Sequence, residues 1–229
     1  MQKFKTFEEL KNSRYNISPW DYPHNTMGFL ATLPKNMQIS ELGKNRSDIS
    51  AHLPILEYFA SKCSHVTEFG FRECNSTVAF LTSTKGIVIS YDIDPCRQAV
   101  SMLNAMKLPC IWKFIQANTN DIKYIDQTDL LFIDTLHTYN QVKSELRFYD
   151  KVSKYIIFHD TWSDGISSKD RPGENGILDA INEFLSEHPE WKKIYEVDFN
   201  HGLIILEKIN IIDGEKDESS NFWRRWLYW

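Results

Sequence analysis

Short apolar runs alternate with amphipathic stretches from about residue 52 onward, and this alternation constrains the fold more than any other feature of the chain. Strand-like runs fall at 66–69, 87–91, 110–115, 130–133 and 155–158. Leu130, Leu131, Phe132 and Ile133 are apolar on both faces, as a central parallel strand requires. Between the runs lie helical patterns. Leu53, Leu56, Phe59 and Ala60 recur at helical spacing in 52–62, a hydroxyl pair opens 76–81, and Pro95 suits the first turn of a third helix. In 139–149 the spacing predicts Val142, Leu146 and Tyr149 on the buried face, with Lys143, Glu145 and Arg147 outward. A helix over 177–185 is followed by strands at 193–198 and 203–207. The latter two flank Phe199-Asn200-His201-Gly202, a hairpin signal. The predicted fold class is α/β, one domain with a mostly parallel sheet and a terminal antiparallel hairpin.

The ends read differently. Residues 1–45 carry scattered aromatics and prolines and are expected to cap the domain at 46–210. Residues 211–229 run from an acidic patch to Phe222-Trp223-Arg224-Arg225-Trp226-Leu227-Tyr228-Trp229. Aromatics usually bury, so that tail is expected to pack on its own domain or to form a homodimer. A net charge of −5 gives no basic field for nucleic acid. The N-terminus lacks a signal-peptide core and no run is long enough to span a bilayer, so a cytoplasmic location is expected. Cys63, Cys74, Cys96 and Cys110 form no C-x-x-C pair and read as small buried thiols rather than zinc ligands.

The chemistry is expected at the strand ends. Glu68-Phe69-Gly70-Phe71-Arg72, then Ser76-Thr77, reads as strand, glycine turn and helix start, a layout that lets a ligand approach the main chain. Asp92 and Asp94 close the second strand, where a carboxylate can accept hydrogen bonds from ribose hydroxyls. Asp134 and His137 follow the fourth strand, and His159-Asp160-Thr161 ends the fifth. Either aspartate alone would read as a helix cap. Ending neighbouring parallel strands about 5 Å apart, they can converge on one cation, with Mg2+ as the expected ion and His137 as a general base.

These residues resemble those of class I S-adenosylmethionine (SAM)-dependent methyltransferases, above all the metal-assisted branch with the cephalosporin-hydroxylase-like and macrolide-sugar O-methyltransferases. The likeness rests on Glu68, Gly70, Arg72, Ser76 and Thr77, on Asp92-Ile93-Asp94-Pro95, on Ile133-Asp134 with His137, and on His159-Asp160, and spans about residues 47–207. It implies a Rossmann-like seven-stranded sheet with helices on both faces. It carries Glu68, Gly70, Arg72, Ser76, Thr77, Asp92, Asn118 and Asp134 into the SAM site. Asp134, Asp160 and His159 become the metal set, and His137 the base. The implied reaction is methylation of a hydroxyl on a small molecule or sugar. Acceptor recognition is expected in 1–45 and in a 165–175 loop that closes over the site.

Two departures stand out. Cys74 occupies a position where the family usually repeats glycine, and His159 and Thr161 flank Asp160 where relatives often carry an acid or an amide. Cys74 and the aromatic tail keep open a second reading, a SAM-fold protein that binds without transferring methyl. A dinucleotide-dependent oxidoreductase would need G-x-G-x-x-G, and only Gly70 is present in that turn.

Overall fold

A computed structural model of the chain describes residues 49–209. The expected cap at 1–45, and the tail at 211–229 with its dimer, lie outside the described residues. Seven strands form one sheet: β1 (His65–Phe69), β2 (Ile87–Asp92), β3 (Ile111–Gln116), β4 (Thr128–Ile133), β5 (Val152–His159), β6 (Trp191–Val197) and β7 (Leu203–Lys208). Their order is β3-β2-β1-β4-β5-β7-β6. β1 to β5 run parallel, and β7 pairs antiparallel with both β5 and β6. The Rossmann-like sheet and its terminal hairpin are as expected.

Helices α1 (Leu53–Ala60), α2 (Asn75–Ser83), α3 (Arg97–Asn104), α4 (Tyr139–Leu146) and α5 (Ile177–Glu187) supply the layers. One core cluster joins α1, α2 and α3 to the sheet through Leu56, Phe59, Phe80 and Leu103, and a second joins α4 and α5 through Val142, Leu146, Ile181 and Phe184. Each such side chain, fully buried, contributes about 1.5–3 kcal/mol from desolvation. All four cysteines are free thiols, two buried and two half-buried. Among the described residues no helix is long and apolar enough to cross a membrane.

Two local expectations are corrected. Pro95 precedes α3, whose N-cap is Cys96 at φ 41°, so the proline shapes the approach to the helix rather than its first turn. Glu145 is fully buried, not outward. It accepts hydrogen bonds from Thr119 Oγ1 (2.6 Å), Gln141 Nε2 (2.7 Å) and Thr135 Oγ1 (2.9 Å). Three donors from three segments outweigh the helical period that placed it outside.

β1 sits between β2 and β4, so the chain leaves β1 toward one edge and returns on the other side. At such a switch point the connections diverge and a crevice opens beyond the carboxyl ends of the strands. Gly70 makes the close approach possible there. It has φ +92°, and a Cβ would lie 1.9 Å from the Asp134 carbonyl oxygen.

Candidate active site

A cavity of about 760 Å³ opens over this switch point. Gly70, Arg72, Asp92, Asp94 and Asn118 line one part, and Asp134, His137, Asp170 and Arg171 another. The structure therefore brings Gly70, Arg72, Asp92, Asn118, Asp134 and His137 to one cavity. Glu68, Ser76 and Thr77 are buried beneath it, absent from its wall.

Glu68 is a hub. Its carboxylate accepts from Ser76 Oγ at 2.5 Å, Thr77 Oγ1 at 2.7 Å and Ser90 Oγ at 2.6 Å. The hydroxyls at the start of α2 are thus spent on β1, and Ser90 ties in β2. Burial raises the Glu68 pKa to about 7 despite those donors. Glu145 repeats the arrangement under the α4 side, also raised to about 7 by burial.

Asp92 holds the loop after β1. Its Oδ2 accepts from the backbone N–H of Phe71 (2.9 Å) and Arg72 (2.8 Å), and its Oδ1 from that of Asp94 (2.9 Å). That clasp supports a turn in which Arg72 (φ 43°) and Cys74 (φ 62°) both adopt left-handed backbone. Cys74 takes the conformation glycine favours, and its side chain is buried in the core rather than in the cavity wall. Asn118 Oδ1 accepts from Asn120 N–H at 3.0 Å and shapes the turn after β3.

Over β4 and β5 the polar groups face one another. His137 Nε2 lies 3.3 Å from Asp134 Oδ1 and 3.0 Å from Asp160 Oδ2. His159 Nδ1 lies 3.4 Å from Asp134 Oδ1 and 3.0 Å from Asp160 Oδ2. Asp160 sits at φ 57°, left-handed backbone that aspartate tolerates better than most residues. Ser163 Oγ donates to its Oδ1 at 2.9 Å, and His201 Nδ1 lies 3.2 Å from the same oxygen. Burial alone would lower both imidazole pKa values, but the two carboxylates raise His137 to about 11 and His159 to about 10. Burial works the other way on the aspartates, yet the imidazoles hold both below the usual carboxylate range.

Each imidazole is fixed from behind. His137 Nδ1 is 2.8 Å from Asp170 Oδ2, which also accepts the His137 backbone N–H at 3.0 Å. His159 Nε2 is 3.2 Å from the Asn200 carbonyl oxygen, and buried His52 Nε2 is 3.0 Å from that same oxygen. Gly202 (φ +92°) lets the β6–β7 turn reach this point, since a Cβ there would fall 2.4 Å from Trp162 N. Sequence reasoning missed Asp170, Glu145 and the Asn200 carbonyl. Asp170 sits in a charged loop with no pattern to mark it, and a carbonyl leaves no trace in side-chain identity.

Asp134, His137 and Asp160 form a group whose ligand atoms could hold a metal ion, with His137 in the place that the expected set gave to His159. His159 Nδ1 lies 3.4 and 3.0 Å from the same two carboxylates. A bound ion keeps its ligand atoms about 3–3.5 Å apart, given bonds of about 2.0–2.2 Å, and the separations above fall in that range. Residues 61–208, more than half of the chain, match the family model for rhamnosyl O-methyltransferase/CmcI. The chain belongs to that family. No curated protein matches it in sequence. In structure it resembles the S-adenosylhomocysteine (SAH)-bound methyltransferase PaMTH1 of Podospora anserina, with TM-score 0.58 and 14% identity over 92% of this chain and 100% of that one. A Corynebacterium glutamicum protein gives TM-score 0.62 and 14% identity over 91% of this chain and 99% of that one. The Burkholderia thailandensis 1,6-didemethyltoxoflavin-N1-methyltransferase gives 0.54 and 12%, over 85% and 92% respectively. At such identities the likeness establishes the methyltransferase fold, while the family match carries the assignment as a SAM-dependent methyltransferase.

Proposed function

We propose that the protein transfers the methyl group of SAM to a hydroxyl oxygen of a small molecule or sugar. One observation carries the reading: the cavity that Gly70, Asp92 and Asn118 line on its cofactor side is walled by Asp134 and His137 on the other. SAM would lie over the β1 and β2 ends, with Asp92 and Asp94 toward its ribose and Asn118 toward its adenine. Gly70 leaves room for the cofactor at the main chain.

The acceptor oxygen would then stand near His137 Nε2. The hydroxyl proton passes to that nitrogen, the oxygen forms a bond to the methyl carbon, and the carbon–sulfur bond breaks to leave SAH and a methyl ether. Asp170 holds the ring through Nδ1 and aims Nε2 inward, and positioning supplies much of the remaining acceleration. At a pKa of about 11 the ring is protonated at neutral pH. A divalent cation held by Asp134, His159 and Asp160 would neutralise the carboxylates that keep it so, and would polarise the hydroxyl. The 165–175 loop contributes Asp170 and Arg171 to the cavity wall and would cover the acceptor. Cys74 packs in the core, which removes one motive for a binding-only protein.

The test is calorimetric titration with SAH, followed by transfer of labelled methyl to a panel of hydroxylated acceptors. Micromolar SAH affinity, lost in Asp92→Ala, and transfer abolished in His137→Ala are expected. Absence of SAH binding would contradict the reading.

A further inference from the structure

The donor set at the β4 and β5 ends departs from the oxygen-only surroundings that Mg2+ prefers. We infer that the pocket formed by Asp134, His159 and Asp160 binds a first-row transition ion, of the Fe2+, Co2+ or Zn2+ class, in preference to Mg2+. The inference rests on the methyltransferase reading only for the use made of the ion.

The tautomer of His159 is set by its partner. A carbonyl oxygen carries no proton, so the Nε2 atoms of His52 and His159 must both be N–H donors to Asn200. The nitrogen that His159 can turn to a metal ion, once its second proton is displaced, is therefore Nδ1. That atom is fully buried and has no aligned hydrogen-bond partner among the described residues. What it faces, at 3.0 and 3.4 Å, are carboxylate oxygens of Asp160 and Asp134. Three acceptors turned toward one another are satisfied only by a cation between them, whether a proton or a metal ion. A histidine that donates its outer N–H to a carbonyl and turns its inner nitrogen to a cluster has the support found behind most metal-bound histidines.

Ligand chemistry then selects the ion. Mg2+ takes oxygen ligands and keeps waters, whereas imidazole suits iron, cobalt, nickel, copper and zinc. His159 Nδ1, 3.0 Å from Asp160 Oδ2 and 3.4 Å from Asp134 Oδ1, moves the site toward the second group. His137 Nε2, 3.0 Å from Asp160 Oδ2 and 3.3 Å from Asp134 Oδ1, borders the same space.

The experiment uses the full chain stripped with a chelator and titrated with Co2+, followed by visible ligand-field absorption. Saturable micromolar binding is expected, displaced by equimolar Zn2+ and untouched by a 100-fold excess of Mg2+. His159→Asp, which keeps a ligand at the buried position, is expected to weaken Co2+ by at least about 10-fold relative to Mg2+ and to alter the spectrum. Failure to bind Co2+, effective competition by Mg2+, or a spectrum and selectivity unchanged in His159→Asp would each overturn the inference. SAH titration of the same stripped protein separates the two ideas: SAH binding without Co2+ binding would sink the metal inference alone.

Discussion

Two buried acidic groups sit a few residues apart along neighbouring strands and have opposite local chemistry. Glu68 is met by Ser76, Thr77 and Ser90, all hydroxyl donors, so its polar atoms are satisfied inside the protein. Asp134 and Asp160 are met by imidazole nitrogens whose other ring atoms already hold Asp170 and Asn200. The first group closes on itself and joins β1, β2 and α2 as a structural fastening. The second is held by charge, imidazole against carboxylate, and reaches the cavity wall through Asp134 and His137. Burial alone does not separate support from chemistry in this fold. What separates them is whether the partners are neutral hydroxyls sealed in the core or titratable rings that reach the cavity wall.

His137→Ala strikes the cavity group hardest. It is expected to lower kcat by about 10²–10⁴-fold while leaving SAH affinity within a few fold, as steady-state kinetics and calorimetry would show. Equal losses in both would mean that His137 shapes the pocket instead. Glu68→Ala strikes the other group. It strands three buried hydroxyls and is expected to cost about 3 kcal/mol or more in denaturant unfolding, with or without added metal. A metal-dependent cost would blur the distinction.

Acidity sharpens it. Glu68 has a folded pKa raised from 4.5 to about 7, so the stability it contributes is present below the unfolded value and lost as pH rises through about 7. That corresponds to about 3 kcal/mol, and Glu68→Gln should flatten the decline between those pH values in unfolding measurements. Asp170→Asn is a gentler probe of the cavity group. It keeps the size of the side chain but weakens its hold on His137 Nδ1. An approximately 10–100-fold drop in kcat with a shifted pH–rate profile is expected. Smallest of all is Cys74→Gly, which relieves left-handed strain at φ 62° but removes a buried thiol. A stability change within about 1 kcal/mol and unaltered SAH affinity are expected. Tighter SAH binding would mean that Cys74 does impinge on the cofactor.

Where apolar periodicity governs, the sequence was legible. The strands, their alternation with helices and the terminal hairpin all follow from runs such as Leu130 to Ile133 and from the Asn200-His201-Gly202 turn. The gathering of Asp134, His137, His159 and Asp160 was also legible, because adjacent parallel strands place their ends side by side. The direction of each side chain was not. Glu68, Ser76 and Thr77 read as a ligand-facing motif, yet they bond to one another, since a buried carboxylate recruits the nearest hydroxyls. Glu145 lay on the polar side of its helix by period, and donors from Thr119 and Thr135 drew it inward. Asp170 and the Asn200 carbonyl act through loops whose approach depends on tertiary packing.

Diffraction from crystals soaked in Zn2+, recorded at the zinc absorption edge, tests the contrast between the two acidic groups most directly. An anomalous peak among Asp134 Oδ1, His159 Nδ1 and Asp160 Oδ2, with none at Glu68 or Glu145, is the result this account predicts. A featureless map at the β4 and β5 ends, or an ion at Glu68, would contradict it.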